Sequence, residues 1–261
     1  MTLKVGELKV PTDEIFDEAL KLFKDNSSDW ETKYNKKNIY IGVKNTSYSD
    51  FKIIKTTSKF EIAAETLYDV LHDEEYRKLW DRNMLEGFQI GSVSENSDIT
   101  YYALKSPFVF KNRDFITQRC WRVKGNEFFI FNHSVFHKKY PPKKDFVRGL
   151  SYVTGYLIKK ISENLSEFTY LTQSDPRGYI PAWAINKGAE VFIPKVTKRL
   201  AKAGEDYPEW KKTHNPDYKP WLNPSQVKIS KYDPADILCQ PDFDMAFKID
   251  ERQHKEEVVK H

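Results

Sequence analysis

Apolar positions recur at steps of three and four between Asp13 and Lys24, where Ile15, Ala19, Leu22 and Phe23 mark one face. With Thr12 ahead of it and Asp13 and Glu14 in its first turn, this stretch is predicted as a helix. Strands are expected near 39–43 and 50–60, followed by two short helices, Ala63 to Leu71 and Asp73 to Leu79. Ala64, Leu67, Tyr68 and Leu71 form the apolar stripe of the first of these. From Gly87 to Gln173 strand follows strand, near 86–93, 99–105, 114–123, 127–135, 147–159 and 167–174. Asn96, Asp98, Gly125, Asn126 and Asn164 supply turns between them.

Helical spacing returns at Ala182 to Lys202, with Ile185, Ala189, Phe192, Val196 and Leu200 on one face. Pro194 lacks a backbone donor and is expected to kink or divide this helix. Beyond Pro224 the pattern fades, so 225–261 is read as a polar, mobile tail able to lie against the domain. A run of antiparallel strands followed by one long amphipathic helix predicts an α+β fold in which a curved sheet wraps around the helix.

Composition sharpens this picture. A chain of 261 residues can bury a substantial interior, and 15% aromatic content suits pleated strands around a wide core. No basic stretch followed by an apolar run opens the chain, and no window approaches the ~18 apolar residues of a spanning helix. A cytoplasmic protein is expected, with Cys120 and Cys239 as free thiols. The net charge of +4 is too small and too interleaved for a nucleic-acid partner. Local charge matters more: Lys187 to Lys202 holds five basic residues (Lys187, Lys195, Lys198, Arg199, Lys202) against one acid, Glu190. Enzyme chemistry finds little support, since the six histidines lack metal-ligand spacing and there is no G-x-S-x-G or phosphate-cradling glycine loop. No enzyme activity, metal or cofactor is expected.

Three stretches are more specific: VLHDEEYRKLWDRN at 70–83, SPFVFKNRDF at 106–115 and TYLTQSDPRGYIPAWAINK at 169–187. Together with KKYPPKKD at 138–145 and YPEWKKTHNPDYKPWLNP at 207–224, they resemble the phospholipid-transfer branch of the START family of lipid-carrying domains. The resemblance covers roughly Pro11 to Pro224. It implies the START helix-grip arrangement over residues 1–224, with a lipid cavity between sheet and C-terminal helix. SDPRGYIP at 174–181 would be a hinge, Gly178 and Pro181 letting that helix move as a lid. The ligand would be one phosphatidylcholine or phosphatidylethanolamine, exchanged during transient membrane contact by a protein expected to be monomeric.

On sequence alone Arg77 and Asp81, four apart, make a solvated ion pair. The resemblance implies instead that Arg77 reaches the lipid phosphate and Asp81 orients it; guanidinium suits this role because it stays charged when desolvated. It likewise implies an aromatic cage for a quaternary ammonium at Tyr102, Phe115 and Tyr152. Alternation puts Tyr152 on one strand face with Leu150, Thr154 and Tyr156, and Thr154 joins the ligand-binding set. Phe115 facing inward would bring Thr117, Arg119 and Trp121 inward with it unless a bulge intervenes. Asn112, Arg113 and Asp114 suit a turn and structural hydrogen bonding. Trp183, Phe192, Lys195, Lys198, Arg199 and Lys202 are the candidates for lid and membrane docking. Two alternatives stay open: a lipid-sensing interaction module, and carriage of sterol or ceramide on the same fold.

Overall fold

The computed structural model describes residues 4–106, 110–178, 180 and 182–246, apart from the side chains of 182–187, 189 and 190. Helix α1 (Asp13–Lys24) precedes strands β1 (Glu31–Lys36), β2 (Ile39–Thr46) and β3 (Ser49–Phe60). Helices α2 (Ala64–His72) and α3 (Glu74–Trp80) lead into β4 (Met84–Ser94), β5 (Ser97–Leu104), β6 (Asn112–Lys124) and β7 (Glu127–Ser134). Short strands β8 (Phe136–His137) and β9 (Phe146–Arg148) come next, then β10 (Leu150–Ser162), β11 (Leu165–Asp175) and the long helix α4 (Ala182–Thr213). Strand β12 (Ile237–Leu238) and helix α5 (Gln240–Ala246) close the described chain.

The main sheet runs β1-β2-β3-β11-β10-β7-β6-β5-β4, antiparallel throughout, with β9 added parallel to β6. Strand alternation gives it two unlike faces. On the inner face Phe60, Phe128, Ile158 and Phe168 pack with Leu67, Tyr68 and Leu71 of α2 and with Leu200, Ala203 and Tyr207 of α4. On the outer face Phe16, Leu20 and Phe23 of α1 cover Phe129, Phe131 and Leu171. Gly155 permits the close approach of β7 to β10, since a Cβ there would stand 2.3 Å from the Ile130 carbonyl oxygen.

Three sequence expectations differ from what is found. Strand β1 carries no apolar alternation, because neither of its faces is deeply buried. The expected strand over 147–159 is two strands parted at Gly149, over which the Phe115 ring lies. Pro194 does not divide α4, which runs on through Pro194 and Pro208 to Thr213. One missing donor is outweighed by packing on both sides of it: Ile193 lies against the apolar cluster of β2 and β3, and Leu200, Ala203 and Tyr207 against α2 and α3.

Residues 225–246 of the expected tail pack onto the domain: Val227, Lys228 and Ile229 border a pocket with His72, Glu74 and Trp121, and Tyr232, past the β4 edge, packs on the outer face with Ile99 and Ile116. The Ser92 N–H donates to the Ser230 carbonyl and the Tyr232 N–H to that of Ser92, both at 3.0 Å. Strand β12 pairs with β8, and Phe243 is fully buried against Phe136. Residues 247–261 are outside the described residues.

Candidate functional site

Between the inner face of the sheet and helices α2 and α3 the chain leaves a cavity of about 310 Å³. Its wall mixes apolar groups (Leu71, Met84, Leu104, Ile130) with tyrosines 102, 156 and 170, threonines, and two arginines, Arg77 and Arg119. That mixture is what unfilled inner strand positions leave once α2 has covered one end of the sheet.

Arg77 is placed by α3. Asp73 caps that helix by accepting the Tyr76 N–H at 3.2 Å, and Asp81 occupies the opposite cap. One helical turn joins the two side chains: the Arg77 Nε and Nη2 each donate to Asp81 Oδ2 at 3.3 Å. Protein surrounds Arg77, yet 29% of its side chain stays accessible, because that surface borders the cavity. Burial opposes its charge, but the Tyr156 hydroxyl and the Asp81 carboxylate outweigh burial and hold its pKa above the ordinary guanidinium value. A permanently charged fork therefore sits on the cavity wall.

Tyr102 and Phe115 both line the cavity, their rings stacked with centroids 5.0 Å apart and planes within 15°. Residues 115, 117, 119 and 121 do all face inward on β6. Thr117 and Arg119 line the cavity and Trp121 joins the inner core. The polar pair is accommodated by partners: the Thr117 and Thr100 hydroxyls bond at 3.1 Å, and Arg119 grips Asp98 through Nε at 3.0 Å and Nη2 at 2.5 Å.

Tyr152 departs from its expected place. A bulge in β10 between Ser151 and Val153 removes it from the alternation, and it borders the groove beneath α1 on the outer face. There its ring meets that of Tyr48 edge-on at 6.1 Å. Leu150 also leaves that face, packing with Phe136 and Phe243. Thr154 keeps its inward place, its hydroxyl bonded to those of Thr172 at 2.7 Å and Ser151 at 3.0 Å. The tyrosines that do face Arg77 are Tyr156 and Tyr170, stacked at 5.4 Å. Burial raises the Tyr102 and Tyr170 hydroxyl pKa values, so both stay protonated donors.

Arg119, Asp98, Tyr156 and Tyr170 were not singled out from the sequence. The available signal was strand alternation, which placed Arg119 two residues beyond Thr117 and Tyr156 two beyond Thr154. Asn112, Arg113 and Asp114 open β6 rather than forming a turn, and they serve structure. Arg113 donates to the Pro176 carbonyl at 3.0 Å and to that of Arg177 at 2.9 Å, pinning the loop before α4. Gly178 follows with φ +69°, a conformation that suits glycine.

On α4, Phe192 is 49% exposed, while its neighbour Ile193 makes the inward contact. Ile193 and the buried Thr197 thus take the inward places predicted for Phe192 and Val196, while Leu200 keeps its own. Lys195 and Lys198 are exposed, Arg199 is half-buried, and Lys202 pairs with Asp206 at 2.8 Å and Glu205 at 3.4 Å. The side chains of Trp183 and Lys187, and Pro181 of the expected hinge, are outside the described residues. Among the described residues no His, Cys, Asp and Glu cluster could hold a metal, and no helix is long and apolar enough to cross a membrane.

The START domain family matches residues 13–210. Mouse START domain-containing protein 10 is 42% identical over 214 residues, which is 81% of this chain and 73% of that protein. Mouse phosphatidylcholine transfer protein is 28% identical over 145 residues, 54% of this chain and 67% of that one. The crystal structure of human STARD10 superposes with a TM-score of 0.85 at 39% identity, covering 89% of this chain and 96% of the other. Human StAR-related lipid transfer protein 5, at 17% identity and a TM-score of 0.67, shares the fold. The chain therefore belongs to the START domain family, a family of lipid-carrying domains and not of enzymes.

Proposed function

We propose that this protein carries one glycerophospholipid, phosphatidylcholine or phosphatidylethanolamine, in the cavity between sheet and helices and transfers it between membranes. The observation that carries the reading is Arg77: a guanidinium held above its ordinary pKa, bonded only loosely to Asp81, with nearly a third of its side chain open to an internal cavity. Arg77 binds phosphate and Asp81 orients it. Tyr102, Phe115 and the Thr154 hydroxyl surround the head group. Tyr156 and Tyr170 replace Tyr152 in that ring of partners, because the β10 bulge carries Tyr152 to the outer face.

Two acyl chains bring about thirty methylenes, on the order of 25 kcal/mol relative to water, so the lipid must leave directly into a bilayer. Helix α4 serves as lid, with Trp183 and Phe192 entering the membrane and Lys195, Lys198, Arg199 and Lys202 meeting anionic head groups. The carrier works as a cytoplasmic monomer that touches membranes transiently. Residues 1–224 are the lipid-binding domain and 225–261 an appended segment. The relatives named for phosphatidylcholine transfer and the family's lipid-carrying character support this reading.

Native mass spectrometry of protein purified from cells is expected to show one two-chain lipid per chain. Vesicle-to-vesicle transfer is expected to fall at least about tenfold in Arg77→Ala, the cost of one charge-assisted phosphate contact. Protein free of two-chain lipid and inactive in transfer defeats the carrier reading, while Arg77→Ala transferring at the parental rate removes Arg77 from the phosphate.

A further inference from the structure

The corner between α3 and β4 is tightly folded. The Arg82 N–H donates to the Trp80 carbonyl at 3.1 Å, the Met84 N–H to that of Asp81 at 3.0 Å, and the Lys105 N–H, just past β5, to that of Asn83 at 2.8 Å. A short rigid projection results. Two of its leucines nevertheless face solvent, Leu79 at 62% and Leu85 at 48% exposure. One exposed leucine is ordinary, but two on one ordered projection mark a contact surface.

Charge says what that surface contacts. Lys78, Arg82 and Lys105 are all exposed around the leucines, and none has an ion-pair partner among the described residues. Of the acids in the same stretch, Asp81 turns to Arg77, Glu86 is held by Lys143 at 2.7 Å, and Glu74, one turn before Lys78 and within reach of its charge, lies 3.9 Å from Arg119. Glu75, exposed, lies a turn back toward the start of α3. Apolar side chains among cations that outnumber the free acids complement the interfacial layer of an anionic bilayer.

Position agrees with charge. Register pairs Met84 with Leu104 and Leu104 with Arg113, and it pairs Leu150 with Asp175, so these strand ends share one end of the sheet. Arg113 ties the loop before α4 to that same end. The corner therefore stands beside the start of the helix proposed as lid.

We infer that the α3–β4 corner is a second membrane-docking surface. Leu79 and Leu85 enter the interfacial layer of an anionic bilayer, while Lys78, Arg82 and Lys105 engage its head groups. The inference rests on the carrier reading and adds a consequence to it: α3 carries Arg77 on its cavity side, so docking sets the phosphate-binding helix against the head-group layer.

Sedimentation with phosphatidylcholine vesicles, with and without added phosphatidylserine, tests this. The double variant Leu79→Glu with Leu85→Glu is expected to lose about tenfold or more in partition to the phosphatidylserine vesicles. Lys78→Gln with Lys105→Gln is expected to lose about fivefold per charge on those vesicles and little on phosphatidylcholine alone. Lipid content by native mass spectrometry should match the parent in both, which separates failed docking from failed carriage. If the leucine variant unfolds, the lysine variant decides alone. Parental partition in a folded variant of either kind overturns the docking surface. Parent protein empty of lipid but still separated from its variants in partition sinks the carrier reading and keeps the docking surface.

Discussion

Two arginine–aspartate pairs in this fold have the same chemistry and opposite surroundings. At the β6–β9 corner, Arg148 meets Asp114 through two bonds of 3.0 Å, one to each carboxylate oxygen, and also donates to the carbonyls of Tyr140 and Pro141. Its side chain and that of Asp114 are 4% and 0% exposed. At the cavity, Arg77 reaches a single oxygen of Asp81 through two bonds of 3.3 Å, and the exposures are 29% and 10%. The closed fork spends four of its five N–H donors inside the protein and has almost nothing to give a ligand. An open one beside a void has donors to spare, and the phosphate role proposed for Arg77 rests on this difference more than on the presence of an arginine.

The sharpest way to break the comparison is to remove both arginines in turn. Arg148→Ala strands the fully buried Asp114 carboxylate and is expected to cost about 3 to 5 kcal/mol of stability. Arg77→Ala leaves Asp81 10% exposed and still accepting the Asn83 N–H at 3.2 Å, and is expected to cost about 1 kcal/mol, with its main effect on lipid transfer. Urea denaturation of the two variants measures both. Equal losses would mean that Arg77 is as structural as Arg148.

Titration sharpens the same contrast. His72 lies close to the cavity arginines, stacked on Trp221 with planes within 12°, and its Nε2 has no hydrogen-bond partner among the described residues. Burial first, then the charges of Arg119 and Arg77, hold its pKa well below the ordinary imidazole value. His133, on the outer face, is also depressed, chiefly by burial, against its bond to the Glu7 carbonyl. Both are neutral in the folded state, and the unfolded chain binds the protons instead. Stability is therefore complete above the unfolded value near pH 6.5 and falls as pH drops below it, with a slope approaching about 1.4 kcal/mol per pH unit for each histidine. Urea midpoints at pH 7.5 and 5.5, as roughly one unit either side of that value, are expected to show the loss, and His72→Phe should remove its share of the slope. A slope unaltered by that substitution would mean that His72 is protonated in the folded protein or stays neutral in both states.

Much of the fold was legible because its signals are local. Alternation marked β2 to β7 and β11, and helical spacing marked α1 to α4, since a half-buried element must repeat with its own period. What escaped depended on neighbours. Strand β1 buries neither face and so leaves no pattern. The bulge that turns Tyr152 outward has no signature in LSYVTG, and it overrode an alternation that Thr154 and Tyr156 obey. Arg77 and Asp81 were legible as a pair, but whether that pair is open or closed depends on the cavity behind it. The Arg119–Asp98 pair joins residues 21 apart on β5 and β6, and only strand register brings them together.

The smallest effect concerns the choice between head groups, and it tests whether the open end of the cavity selects as well as binds. A quaternary ammonium gains from aromatic faces, whereas a primary amine gains more from hydroxyl and carboxylate acceptors. Tyr102 and Phe115, stacked at 5.0 Å, spend one face of each ring on the other and offer less to a cation than two splayed rings would. Tyr152, which would have completed three walls, stands on the outer face. The site should therefore prefer phosphatidylcholine over phosphatidylethanolamine only weakly, by about 1 kcal/mol or roughly fivefold. Tyr102→Leu keeps the cavity apolar there while removing one ring, so competition between the two lipids in transfer should approach parity, with the total rate reduced much less than in Arg77→Ala. A preference of a hundredfold in the parent, or one untouched by Tyr102→Leu, would mean that other groups read the amine, the Tyr156 and Tyr170 pair beside Arg77 first among them.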